Sequence, residues 1–158
     1  MKRFFLDSNV YDEFLKSHEL LGLVLRAKSQ GLIDLIGTHI EPDELGDTAL
    51  GDPVKAIKLI SVYEDLNVRQ VATEGFVLGK SRLDEATLFS TVGAGAFDEL
   101  TASNPDHSED VLMILTAQRE MATFVTEETK RIPRLCIEIG IECINAQALG
   151  DWCYQKIS

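Results

Sequence analysis

Cysteine is scarce in this 158-residue chain: Cys136, Cys143 and Cys153 all lie in the last quarter, without CxxC spacing. That excludes a disulfide scaffold and a thiolate metal ribbon, and an odd count suits reduced thiols in a cytosolic protein. Long hydrophobic runs are missing too. No stretch approaches the roughly 20 apolar residues needed to cross a bilayer. The opening MKRFFLDSNVYDEF reaches Asp7 after three consecutive apolar residues, too few for the core of a signal peptide. A soluble, cytoplasmic protein with no membrane partner is expected. Positive charge is outnumbered, with 15 Lys and Arg against 26 Asp and Glu, a net of −11. Such a surface repels polyanions, which excludes a sequence-independent nucleic-acid coat. Either a local basic patch and a cation admit a phosphate, or the partner is a basic protein; both can hold. There is no internal repeat, low-complexity tract or linker.

With 45% apolar residues the chain can build a core without staples, and its length suits one domain over residues 1–158. A short apolar run over 3–6 ends at Asp7 and leads into a helical pattern to about Lys16. A second amphipathic stretch, 19–30, stops at Gly31, and 32–36 reads as a buried strand. Glu41-Pro42-Asp43-Glu44 opens a helix, and Asp52-Pro53 opens another, with Val54, Ile57, Leu59, Ile60 and Val62 as its apolar side. Residues 67–78 are ambiguous, with a short strand at 68–72 or 76–78. The stretch 83–102 is helical in propensity, and Gly93 and Gly95 predict a kink or two helices. Asn104-Pro105-Asp106 forms a turn, and Asp106 with Glu109 has capping-box spacing for a helix to about Met121. A strand over 122–126, a helix from Pro133 to Gly140, a strand over 141–144 and a closing helix over 146–157 follow. Strands alternating with helices predict an α/β fold, a parallel β-sheet flanked by helices on both faces in three layers, α/β/α.

Four acids fall near the ends of these runs: Asp7, Glu44, Asp110 and Glu128. In a parallel sheet, ligands gather at the carboxyl ends of the strands. Carboxylates brought together there repel one another unless a proton or a cation intervenes. An oxygen-rich, negative pocket suits a hard divalent ion such as Mg²⁺ or Mn²⁺. Each acid also has a plainer reading. Asp7 could cap the helix that follows, and Glu44 and Asp110 could favour helix N-termini, worth roughly 0.3–1 kcal/mol each. Ser8 reads as a cap rather than a nucleophile, and His107, close to Asp110, reads as a solvated loop residue. Lys130, Arg131 and Arg134 follow Glu128 and could rim the pocket, while Lys80 and Arg82 form a second small basic group.

The order of these fragments resembles the PIN-domain family, compact nucleases that include the toxin halves of bacterial toxin–antitoxin pairs. Phe5-Leu6-Asp7-Ser8-Asn9-Val10 fits the family's opening motif, and Pro42-Asp43-Glu44-Leu45 fits its second acid. Asp110-Val111-Leu112-Met113-Ile114-Leu115-Thr116-Ala117 fits the third, and Ala122-Thr123-Phe124-Val125-Thr126-Glu127-Glu128 fits the last. The family's last acid is commonly Asp; here Glu128 stands there with Glu127 beside it. The resemblance spans nearly the whole chain.

It implies a Mg²⁺- or Mn²⁺-dependent ribonuclease in which Asp7, Glu44, Asp110 and Glu128 hold one or two ions. Asn9 would then hold a carboxylate or a phosphate oxygen, and Lys130 and Arg131 would meet the RNA. The resemblance further implies a homodimer silenced by a small antitoxin-type protein. Two other readings remain open. One is a PIN-like module, weakly active or inactive, that binds RNA or a protein. The other is an aspartyl phosphotransferase, which would need a second Asp where Asn9 stands.

Overall fold

The three consecutive apolar residues of the first strand have 0% exposure, Phe4, Phe5 and Leu6 alike, as a strand covered on both faces requires. The structure is a computed structural model that describes residues 1–75, 86, 91–101 and 108–157. Its elements run β1 (Lys2–Leu6), α1 (Val10–Lys16), α2 (His18–Ser29), β2 (Ile33–Gly37), α3 (Ile40–Asp47), a 3₁₀ turn (Thr48–Leu50), α4 (Pro53–Leu66) and β3 (Arg69–Gln70). Then come α5 (Thr91–Thr101), α6 (Ser108–Arg119), β4 (Thr123–Val125), α7 (Arg131–Ile139), β5 (Cys143–Ile144) and α8 (Ala146–Ile157).

The strands form one five-stranded sheet in the order β3-β2-β1-β4-β5. Every ladder is parallel, and Phe5 pairs with Ile36 on one side and Phe124 on the other. Alternation along β1 builds two cores. Phe4 and Leu6 join residues of α1, α2, α4 and α8. Phe5 faces the opposite way into α6 and α7, its ring stacked on Phe124 at 5.3 Å and 10°. The result is the expected three-layer α/β/α sandwich. The chain turns to β2 on one side of β1 and later returns as β4 on the other. That reversal opens a crevice at the carboxyl ends of β1 and β4.

Most predicted boundaries fall within two residues of those found, and Gly31 and Gly140 take the left-handed backbone, φ 69° and 80°, at the ends of α2 and α7. Three differences have physical reasons. First, α4 turns another face inward: Ala56, Leu59, Val62 and Leu66 are buried, whereas Val54 and Ile57 are 64% and 69% exposed. The helix packs on both α1 and α3, and that docking decides which of its two apolar rows is covered. Second, α7 begins at Arg131, before Pro133, because the Glu128 carboxylate accepts the amides of Lys130 and Ile132 at 3.0 and 2.6 Å. Proline in a first turn forfeits no helical hydrogen bond. Third, α5 is a single helix through Gly93 and Gly95. The expected strand at 76–78, the turn at 104–106, the Asp106 cap, Lys80, Arg82 and His107 lie outside the described residues.

Asp52 caps α4 by accepting the Lys55 amide at 2.9 Å. Asp52→Ala is expected to cost about 1 kcal/mol in urea denaturation, the usual value of a lost N-cap. A change below a few tenths would show that the cap contributes nothing.

Candidate active site

Asp7 is the first residue past β1, and its amide still donates to the Val125 carbonyl of β4 at 2.9 Å. That bond fixes its backbone in the crevice. Its side chain, 6% exposed, accepts three hydrogen bonds. The Ser8 amide donates at 2.8 Å, the Asn9 amide group at 2.9 Å and the Thr126 hydroxyl at 2.6 Å. Burial pushes the Asp7 carboxyl up from its ordinary value, and the bonds from Thr126, Ser8 and Asn9 pull the other way. The carboxylate is thus held in place yet costly to keep charged, a state that a nearby cation would relieve.

Asn9 ties the two central strand ends together. While its amide group donates to Asp7, its oxygen accepts the Glu127 amide at 2.9 Å. Sequence reading placed Asn9 on a carboxylate or a phosphate; here it serves the Asp7 carboxylate. The same reading quoted Thr126 only as the end of a strand motif. Its hydroxyl in fact bridges Asp7 and the Glu128 amide, which donates to it at 3.1 Å.

Glu44, in α3, is half-buried beside Asp7. Burial raises its pKa first, and the charges of Asp7, Glu109 and Asp110 raise it further, while a hydrogen bond with the Ser8 side chain lowers it. The Ser8 side chain lowers the pKa of both Asp7 and Glu44 and so lies close to each. Asp110, in the first turn of α6, reaches the same space but forms an ion pair with the Arg131 guanidinium. Asp7, Glu44 and Asp110 are therefore brought into one electrostatic neighbourhood.

The acids after β4 are differently employed. Glu127 accepts the Ala146 amide at 2.7 Å, at the start of α8, and Glu128 accepts the opening amides of α7. Those backbone bonds outweigh the opposing effect of burial and hold Glu128 below its ordinary pKa, with help from Arg131. A glutamate three residues before a helix serves its amides as readily as it serves an ion. Lys130 is exposed, and Arg131 faces Asp110.

Glu41 escaped the sequence reading. It has 0% exposure, and burial pushes its carboxyl up to about 8, with the Asp7 charge adding to the effect. One oxygen accepts both the Thr38 amide and the Thr38 hydroxyl at 2.7 Å. Among the described residues the other oxygen has no hydrogen-bond partner, and neither does the buried hydroxyl of Tyr11, whose phenol is raised by burial and then by Glu41. Thr38 and Glu41 have the spacing of a capping box, the one signal that could have singled Glu41 out.

The donors suit a hard divalent ion: three carboxylates, two of them with raised pKa, supply oxygen ligands only. Among the described residues, however, no group of three His, Cys, Asp or Glu side chains is drawn close enough to hold one. The chemistry fits, but Asp110 is turned to Arg131.

These features define a parallel α/β protein with an acidic crevice at the sheet's topological switch. No family model and no curated protein matches the chain. Among solved structures it is similar to a chain of VapBC-1 from nontypeable Haemophilus influenzae, determined at 2.2 Å. The match covers 92% of this chain and 98% of that one, with 12% identity and a TM-score of 0.53. At that identity the likeness establishes a shared fold alone, the three-layer α/β/α arrangement.

Proposed function

We propose that this protein is a Mg²⁺- or Mn²⁺-dependent ribonuclease that hydrolyses RNA phosphodiester bonds, and that it is the toxin of a toxin–antitoxin pair. The observation that supports the reading is that Glu44 of α3 feels the charges of both Asp7, just past β1, and Asp110, in the first turn of α6, beside the crevice where the strand order reverses. The fold shared with a VapBC-1 chain supports the toxin–antitoxin setting. A bound ion would polarise the phosphate and lower the pKa of an attacking water. Asp7, Glu44 and Asp110 would hold it. Asn9 and Thr126 fix the Asp7 carboxylate, and Ser8 favours the charged forms of Asp7 and Glu44. Glu128 acts at one remove, by fixing the start of α7 and with it Arg131.

The net charge of −11 suits a basic antitoxin-type partner. For the homodimer, we assign the second copy to the exposed row of Leu50, Val54 and Ile57. No observation favours the alternative of an inactive binding module.

The reading is tested by incubating single-stranded and structured RNAs with the purified protein and Mn²⁺. Cleavage that requires the ion and stops on chelation is expected. Cleavage indifferent to chelation would remove the metal-dependent nuclease, and no cleavage of any RNA would favour the binding module.

A further inference from the structure

We infer that Arg131 is a resident counter-cation of the carboxylate pocket, competing with the divalent ion for Asp110. The inference rests on the metal-binding reading above and adds a residue that sets how tightly the ion is held. Two independent observations lead to it. The donors are chemically suited to an ion, yet no three of the described ones are drawn together around a common point. At the same place, the guanidinium of Arg131 is paired with Asp110, whose side chain is only 20% exposed.

A guanidinium stays charged at any physiological pH and presents a rigid fork that matches a carboxylate. It therefore sets a fixed positive charge against Asp110, within the acidic neighbourhood of Glu44 and Asp7. The contact is also well anchored. Arg131 is the first residue of α7, and the Glu128 carboxylate holds that turn through the Lys130 and Ile132 amides. The Asp110 oxygen engaged by the guanidinium is not free for a metal, so an ion that draws on it must displace Arg131, and one bound through the other oxygen shares the carboxylate with that charge. Arg134 gives a control on the same helix. It is 81% exposed and pairs with Glu138 at 2.9 Å, carrying the same charge outside the pocket.

Mn²⁺ affinity would be measured by calorimetry at fixed pH and ionic strength for the wild type, Arg131→Gln, Arg134→Gln and Asp110→Asn. Arg131→Gln is expected to tighten binding by about tenfold or more, the equivalent of one lost charge-assisted hydrogen bond. Arg134→Gln should leave it unchanged. Equal or weaker binding by Arg131→Gln, with the wild type still binding, would overturn the competition and leave the metal site standing. Equal tightening by both arginine variants would also overturn it, by showing a general effect of net charge. If Asp110→Asn binds as the wild type does, Asp110 is no ligand and there is nothing to compete for. Absence of Mn²⁺ binding in every variant would remove the metal reading itself and this inference with it.

Discussion

Asp7→Asn is expected to reduce Mn²⁺-dependent RNA cleavage by at least about 100-fold, the effect of removing one preorganised electrostatic group from an active site. The protein should keep its fold. An asparagine oxygen can still accept the Ser8 amide, and the Thr126 hydroxyl still has Asn9 and the Glu128 amide for partners. The metal-free variant is expected to melt no lower than the wild type, because a buried carboxylate with a raised pKa has been replaced by a neutral group. Burial opposes a charge on Asp7 in the wild type, and the variant carries none. Cleavage at the wild-type rate would place the reaction elsewhere. A collapse in melting temperature would show that Asp7 is chiefly a structural residue.

The second large effect concerns pH and stability. The Glu41 carboxyl is pushed from 4.5 up to about 8, with burial the leading cause. Between those values the folded protein holds a proton that the unfolded chain releases. The stabilising contribution is fully present below the lower value and is lost as pH rises toward the upper one. The slope over this window is about 1.4 kcal/mol per pH unit. Glu41→Gln keeps a carbonyl oxygen for the Thr38 amide and hydroxyl but cannot ionise. Urea denaturation from pH 5 to 9 should therefore show the wild type losing stability relative to Glu41→Gln across the window. Taking the difference cancels the contributions of Asp7 and Glu44, which are raised as well. Parallel curves would show that Glu41 titrates normally and that its burial is relieved by other means.

How much was legible beforehand follows from where each kind of information lies. The run Phe4-Phe5-Leu6 announces a strand buried on both faces, and Asp52-Pro53 and Gly140 punctuate helices through local backbone chemistry, so these elements could be read directly. The inward face of α4 could not. Val54 and Ile57 are as apolar as Leu59 and Val62, and only the docking of α1 and α3 decides between the rows. In the site, the family-like fragments pointed to Asp7, Glu44 and Asp110, and the structure sets Glu44 within the electrostatic influence of the other two without drawing the three around one point. The fragment at Glu127 and Glu128 carried two meanings, because an acid between a strand and a helix serves helix amides as well as ions. Glu41 stayed hidden because a charged residue in a PD-rich helix start looks solvated, and its burial depends on tertiary packing. Arg131 read as a rim residue; its pairing with Asp110 joins positions 21 apart in sequence.

The account's central claim is that Asp7, Glu44 and Asp110 act as one cation-binding unit. Melting of the wild type, Asp7→Asn and Glu44→Gln with and without Mn²⁺ tests it most directly. Ion at about 100 times Kd should stabilise the wild type by about 2.7 kcal/mol and leave both variants almost unmoved. A wild type indifferent to Mn²⁺, or variants that respond as fully as it does, would contradict the claim.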